Sequence, residues 1–155
     1  MKHKIFIIFA FLLLIFVPHS FAQNSKCNGA SAESVDILRC ANQNVEFTDV
    51  YKVKLIQGKI FVIGTEEPLL GIIDIYIVSK VDAKSEGSDL VKQTMPFRRF
   101  KTNERGEFCL TDIPKGNYVL KVGTKEGNFN CAWLKVKVTK NGSEKPIEID
   151  LIAGT

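Results

Sequence analysis

Thr102-Asn-Glu-Arg-Gly-Glu-Phe-Cys-Leu-Thr-Asp-Ile-Pro-Lys-Gly-Asn-Tyr-Val-Leu-Lys-Val122 reads as turn, strand, turn, strand. Apolar residues alternate on both sides of its centre, Phe108 and Leu110 before it and Tyr118, Leu120 and Val122 after it. A period of two marks a strand with one face in a core, and Ile113-Pro-Lys-Gly116 supplies the reversal between the strands. The reading that follows is an all-β protein.

The pattern extends in both directions. Val45 to Leu55 is rich in β-branched and aromatic residues, and Lys59-Ile-Phe-Val-Ile63 follows Gly58. Ile73 to Ile77 alternates, which predicts one core face and one wet face. Residues 82–93 are the most loop-like stretch, and Met95 to Lys101 returns to strand character. Downstream, Leu134, Val136 and Val138 alternate with Lys135 and Lys137, and Ile147, Ile149 and Leu151 alternate with Glu148 and Asp150. Lys140-Asn-Gly-Ser143 between them predicts a hairpin with a type I′ turn. About seven or eight strands with little helix imply an antiparallel β-sandwich. A short helix is expected over Ser31–Cys40, inside a polar N-terminal cap segment, residues 23–50, ahead of a sandwich at 51–155.

Residues 1–22 have the form of a secretory signal peptide. Lys2 and Lys4 precede thirteen consecutive apolar residues, Ile5 to Val17, and Ser20-Phe21-Ala22 offers small residues for cleavage. The run falls short of the roughly 20 residues of a membrane span. The expected product is a secreted or periplasmic chain beginning near Gln23, with no stable membrane insertion. Without the two lysines the formal excess falls from +4 to about +2, too small to argue for nucleic acid.

Four cysteines, Cys27, Cys40, Cys109 and Cys131, remain after such cleavage, and an even number in an exported chain favours two disulfides. Their gaps lack the close C-x-x-C pairs of zinc sites. Chain proximity suggests Cys27–Cys40 and Cys109–Cys131 among the three possible pairings. His3 and His19 both fall in the leader, so the expected mature chain has no histidine for nucleophilic triads, metal sites or general bases. No cofactor or metal is expected.

Binding candidates are few. Met95-Pro-Phe-Arg-Arg-Phe100 sets Arg98 and Arg99 between Phe97 and Phe100 after the long loop, a composition suited to an anionic glycan or a partner's acidic face. The plain alternative puts both phenylalanines partly in the core and both arginines in water. Trp133 shares the parity of Lys135 and Lys137, which predicts an outward ring: a sugar platform or a cover over the cysteine region. Glu66 and Glu67 are adjacent on a loop and read as solvated charges, since a glycosidase pair must face one cleft. Asn141-Gly-Ser143 is a glycosylation sequon in a eukaryotic setting and otherwise a turn.

The ordered set Gly58-Lys-Ile-Phe-Val62, Glu67-Pro-Leu-Leu-Gly71, Thr102 to Phe108, Ile113-Pro-Lys-Gly-Asn-Tyr118 and Val136-Lys-Val138 resembles the carboxypeptidase regulatory-like domain, a transthyretin-like (prealbumin-like) sandwich. The resemblance implies a non-catalytic accessory or binding module. Catalytic relatives of that fold do not fit. The transthyretin-like hydrolases of purine breakdown use histidines and a terminal Tyr-Arg-Gly-Ser, where this chain ends Leu151-Ile-Ala-Gly-Thr155. Isopeptide-forming collagen-adhesin domains place a Glu where Val122 stands. The functional expectation is an exported binding module with a protein or carbohydrate partner. The alternatives are an assembly subunit using edge strands and an enzyme with unrecognised carboxylate chemistry.

Overall fold

A computed structural model describes residues 31–154. Nine strands form two facing sheets, and the only α-helix among the described residues is a four-residue turn. The strands are β1 (Ala32–Glu33), β2 (Asn44–Val53), β3 (Ile56–Val62), β4 (Ile72–Val78), β5 (Arg98–Lys101), β6 (Glu107–Leu110), β7 (Gly116–Gly123), β8 (Cys131–Val138) and β9 (Ile147–Leu151), with α1 at Gly87–Leu90. The larger sheet has the order β1-β5-β4-β7-β8-β2 and the smaller β6-β3-β9. The all-β sandwich is as expected, but the sheets are mixed. β2 runs parallel to β8, and β3 runs parallel to β9.

Alternation explains the layers. Ile73 and Ile75, Tyr118, Leu120 and Val122, and Leu134, Val136 and Val138 meet Ile56 and Ile60, Phe108 and Leu110, and Ile147, Ile149 and Leu151 in one buried cluster. Burying such side chains contributes roughly 1.5–3 kcal/mol each, offset largely by chain entropy.

Neither reversal that resembled a hairpin is one. β6 belongs to the smaller sheet and β7 to the larger, so Ile113-Pro-Lys carries the chain across the core as an arch. Asp112 takes a positive φ of 59° there, and the Tyr118 hydroxyl donates to Pro114 O at 2.8 Å, closing the arch. Lys140-Asn-Gly-Ser143 likewise connects β8 to β9 in the opposite sheet. Asp112 is the only non-glycine residue with positive φ among the described residues, so Asn141 does not form a type I′ turn. The turn docks instead on the end of β2: Ser143 N donates to Lys52 O at 2.8 Å and Lys54 N to Ser143 O at 2.9 Å.

The N-terminal segment is an extended strap, not a helix over Ser31–Cys40. Ser31 N bonds Cys109 O on β6, β1 pairs with β5, and Arg39 N reaches Thr124 O beyond β7. Tertiary partners for these backbone groups override the weak helical tendency of so short a polar segment. β2 begins at Asn44, so residues 44–50 of the expected cap belong to the larger sheet.

The strap ends in a disulfide between Cys40 and Cys131, with sulfurs 2.02 Å apart. The expected Cys27–Cys40 and Cys109–Cys131 pairing is therefore incorrect. Closeness in sequence misled, because the strap crosses the end of the sheet and brings Cys40 to the first residue of β8. Cys109 is also disulfide-bonded, and Cys27 lies outside the described residues. The leader expected at 1–22 lies outside them as well. No helix among the described residues is long and apolar enough to cross a membrane.

Candidate binding surface

The outer face of the larger sheet should be wet by the alternation of β4 and β8, and it is not. Asp74, Tyr76 and Val78 of β4, Val119 of β7, and Trp133 and Lys135 of β8 are all buried there. The cover is the connection from β4 to β5, residues 79–97, which folds back across the sheet as a flap. Val81, Leu90 and Val91 from the flap pack against Tyr76, Val78, Val119 and Trp133, forming a second core. The Tyr76 and Trp133 rings lie 6.2 Å apart, and the Lys121 ammonium sits 5.0 Å over the indole.

Two charged side chains of the sheet hold the flap. The Glu46 carboxylate on β2 accepts from Gly87 N at 2.8 Å and Ser88 N at 3.3 Å, capping α1 from outside the helix. The Lys135 ammonium donates to Ser85 O at 2.8 Å and Ala83 O at 3.5 Å. Within the flap, Asp82 Oδ1 accepts from Lys84 N, Ser85 N and Ser85 Oγ. These bonds, the Ser85 backbone N–H foremost, lower the Asp82 pKa from the usual carboxylate range.

The segment 95–100 divides between surface and interior. Phe100 is buried in the main core, as the plain reading of this segment expected. Arg98 is on the core side of β5, stacked 4.6 Å over the Phe100 ring and bonded to Glu33 at 2.8 Å and to Thr111 O at 3.3 Å. Arg99 faces the other way and grips Asp74 with both ends of its fork, Nη2 to Oδ2 at 2.8 Å, and donates through Nη1 to Asp36 O at 3.2 Å. Bonding to Asp74 raises the Arg99 pKa, and burial followed by the Asp74 charge raises that of Tyr76. The forked donors expected to capture an external anion are thus spent inside the fold. Trp133 is buried at 8% exposure rather than outward.

Beside the exposed Lys92, Gln93 and Thr94, large apolar side chains remain outward in this region. Met95 is 75% exposed, Phe97 43% and Ile77 46%. Phe97 N donates to Ile75 O at 2.7 Å, which brings the end of the flap alongside the end of β4 that carries Ile77. Met95 and Phe97 make an exposed apolar shoulder at the end of the flap, whereas Ile77 shares the parity of Ile73 and Ile75 and so faces the other side of the sheet from Phe97. Of the sequence candidates for partner binding, only Phe97 is substantially exposed.

Sequence reasoning missed Glu46, Asp74 and Lys135. A signal was present in the outward parity itself, where Tyr76, Val78, Val119 and Trp133 set four apolar or aromatic side chains on the face that was expected to be wet. Among the described residues no three or more His, Cys, Asp or Glu side chains form a metal-binding group. Comparison of the chain with protein-family models, curated proteins and solved structures gives no match.

Proposed function

We propose that this chain is an exported, non-catalytic module that binds a protein partner at the cell envelope or outside the cell. The observation that carries the reading is the flap, an ordered connection anchored by Glu46 and Lys135 that ends in the exposed shoulder Met95 and Phe97. Long loops fixed on a rigid sheet are where binding groups concentrate, and Met and Phe are enriched at interfaces. The resemblance to carboxypeptidase regulatory-like modules supports an accessory role. The leader-like N-terminus and the Cys40–Cys131 disulfide support export. An anionic partner gripped by Arg98 and Arg99 is not part of the proposal, because both side chains are engaged internally.

Assembly through edge strands is the second reading, and β2 is the strand that favours it. It is ten residues long and forms the last strand of its sheet. Against it stand the register shift between Glu46 and Val50 and the charges of Glu46, Asp49 and Lys52, features that blunt an edge. Light scattering on the purified chain separates the two, since the binding reading expects a monomer. The direct test places a photo-crosslinking side chain at position 97 or, as control, at Glu148, and exposes each protein to envelope material of the source cell. A discrete adduct from position 97 alone supports the proposal. Equal adducts from both positions, or none, refute it.

A further inference from the structure

Three groups on the covered face are poorly served by the flap above them. The Trp133 Nε1–H is buried with no acceptor among the described residues. Lys135 is only 2% exposed, and its ammonium meets two carbonyl oxygens, with no carboxylate in ion-pair contact among the described residues. Lys121 holds its charge against the indole ring. An ammonium has three donors and a full charge, and buried lysines are ordinarily paired with an anion. Buried donors likewise normally find an acceptor.

The flap behaves on this face as a ligand would. It lays Val81, Leu90 and Val91 on Tyr76, Val78, Val119 and Trp133, and it offers oxygen atoms to Lys135. The oxygens it offers to Lys135, however, are neutral carbonyls, and none of its atoms accepts from the indole N–H. We propose that the flap is a built-in stand-in for an apolar ligand bearing a carboxylate, and that the face beneath it is the binding site the flap vacates. The carboxylate supplies the charge that Lys135 lacks, and the apolar body replaces the flap side chains over Tyr76 and Val119. Trp133 and Lys135 stand two residues apart on the same face of β8, so one ligand reaches both. This site is separate from the shoulder, and it stands whether or not a protein partner binds there.

Release of the flap is the gating step, and Glu46 is its handle. Removing that carboxylate frees the N–H groups of Gly87 and Ser88 and leaves Trp133 and Lys135 themselves unchanged, raising the population of the open form. Because apparent affinity scales with the fraction that is binding-competent, Glu46→Ala tightens binding by about tenfold. Gly87→Val is an independent opener, since a Cβ there meets the Trp133 Cβ at 3.2 Å and Glu46 Oε2 at 3.1 Å.

Trp133 is the only tryptophan in the chain, so its emission reports the site directly. The experiment titrates wild type, Glu46→Ala and Gly87→Val with decanoate and with decanol, the same chain without the charge. An apolar tripeptide with a free C-terminus, against its amide, forms the second arm. The expected result is saturable change with a carboxylate at least tenfold tighter than its neutral counterpart, and tighter in both flap variants than in wild type. Decanoate outbinding the peptide identifies a lipid-like source, and the reverse a peptide terminus. Lys135→Met is expected to erase the preference for the charged probe. Equal binding of charged and neutral probes in the flap variants, or no spectral change in any protein, overturns the proposal. Circular dichroism confirms that each variant is folded before it is scored.

Discussion

Replacing Arg99 by alanine tests the reading of the outer face quantitatively. Asp74 is 3% exposed and depends on Arg99 for a bidentate, charge-assisted contact. Breaking a buried ion pair by removing one partner costs about 3–5 kcal/mol, because a carboxylate remains out of water. The Arg99 side chain is 22% exposed, so water reaches part of the space it leaves and the cost is discounted to about 2–3 kcal/mol. For a domain near 125 residues each kcal/mol moves Tm by about 3–5 °C, so Arg99→Ala is expected to lower Tm by roughly 6–15 °C. Urea unfolding followed by circular dichroism gives the free energy. A double-mutant cycle with Asp74→Asn isolates the pair, and the second change should cost much less once Arg99 is gone. Arg98→Ala is the comparison. Its partner Glu33 is 67% exposed at the side chain, and the loss should stay near 1 kcal/mol. If Arg99→Ala costs under about 0.5 kcal/mol, as an outward surface charge would, then Asp74 is not buried on the outer face and the reasoning fails.

Non-reducing peptide mapping is expected to recover Cys40 linked to Cys131, and a Cys109–Cys131 peptide would contradict the strap geometry. That bond spans 91 residues, so its removal costs about 4–5 kcal/mol in the chain-entropy model, read as a fall in urea midpoint for the Cys40→Ala, Cys131→Ala variant. Gly58→Ala should destabilise by about 3 kcal/mol or more, because a Cβ there meets Ile147 O at 1.9 Å and the Phe108 ring at 2.6 Å; a stable, unchanged variant would refute the packing of β3 between β6 and β9. Tyr51, Tyr76 and Tyr118 are the only tyrosines, and burial raises all three above the ordinary 10.0. Ultraviolet titration should therefore show phenolate forming with midpoints above 10.0. The fold keeps its full advantage below that pH and loses it as pH rises through the raised values, since unfolding lets the rings ionise earlier. A midpoint at or below 10 would show the rings to be solvated.

The strands were legible because alternation is strict where one face meets the main core, as in Phe108–Leu110 and Ile147–Leu151. The pairing was not, because Ile113-Pro-Lys-Gly116 has the composition of a hairpin turn while serving as an arch between sheets. Local turn chemistry fixes a reversal but not which sheet receives the next strand. Cys40–Cys131 escaped for a related reason: the strap that joins them is held by backbone contacts with no sequence period. At the candidate surface, Lys135 and Trp133 were given outward parity because their neighbours Leu134 and Val136 face the core, and for Lys135 outward parity was read as water. That assignment holds only if nothing covers the outer face. The flap that covers it is polar in sequence, and its few apolar residues, Val81, Leu90 and Val91, show no regular spacing. Arg98 and Arg99 are adjacent and alike, yet β5 sends one over Phe100 and the other to Asp74.

The central claim is that the flap is an ordered part of the fold that buries the sheet's outer face. Acrylamide quenching of Trp133 in the full chain tests it most directly, because that single indole lies beneath the flap and its exposure is 8%. The account predicts blue-shifted emission and a quenching constant several-fold below that of the urea-unfolded chain. Emission and quenching close to those of the unfolded chain would mean that the face is open and the flap is not where this account places it.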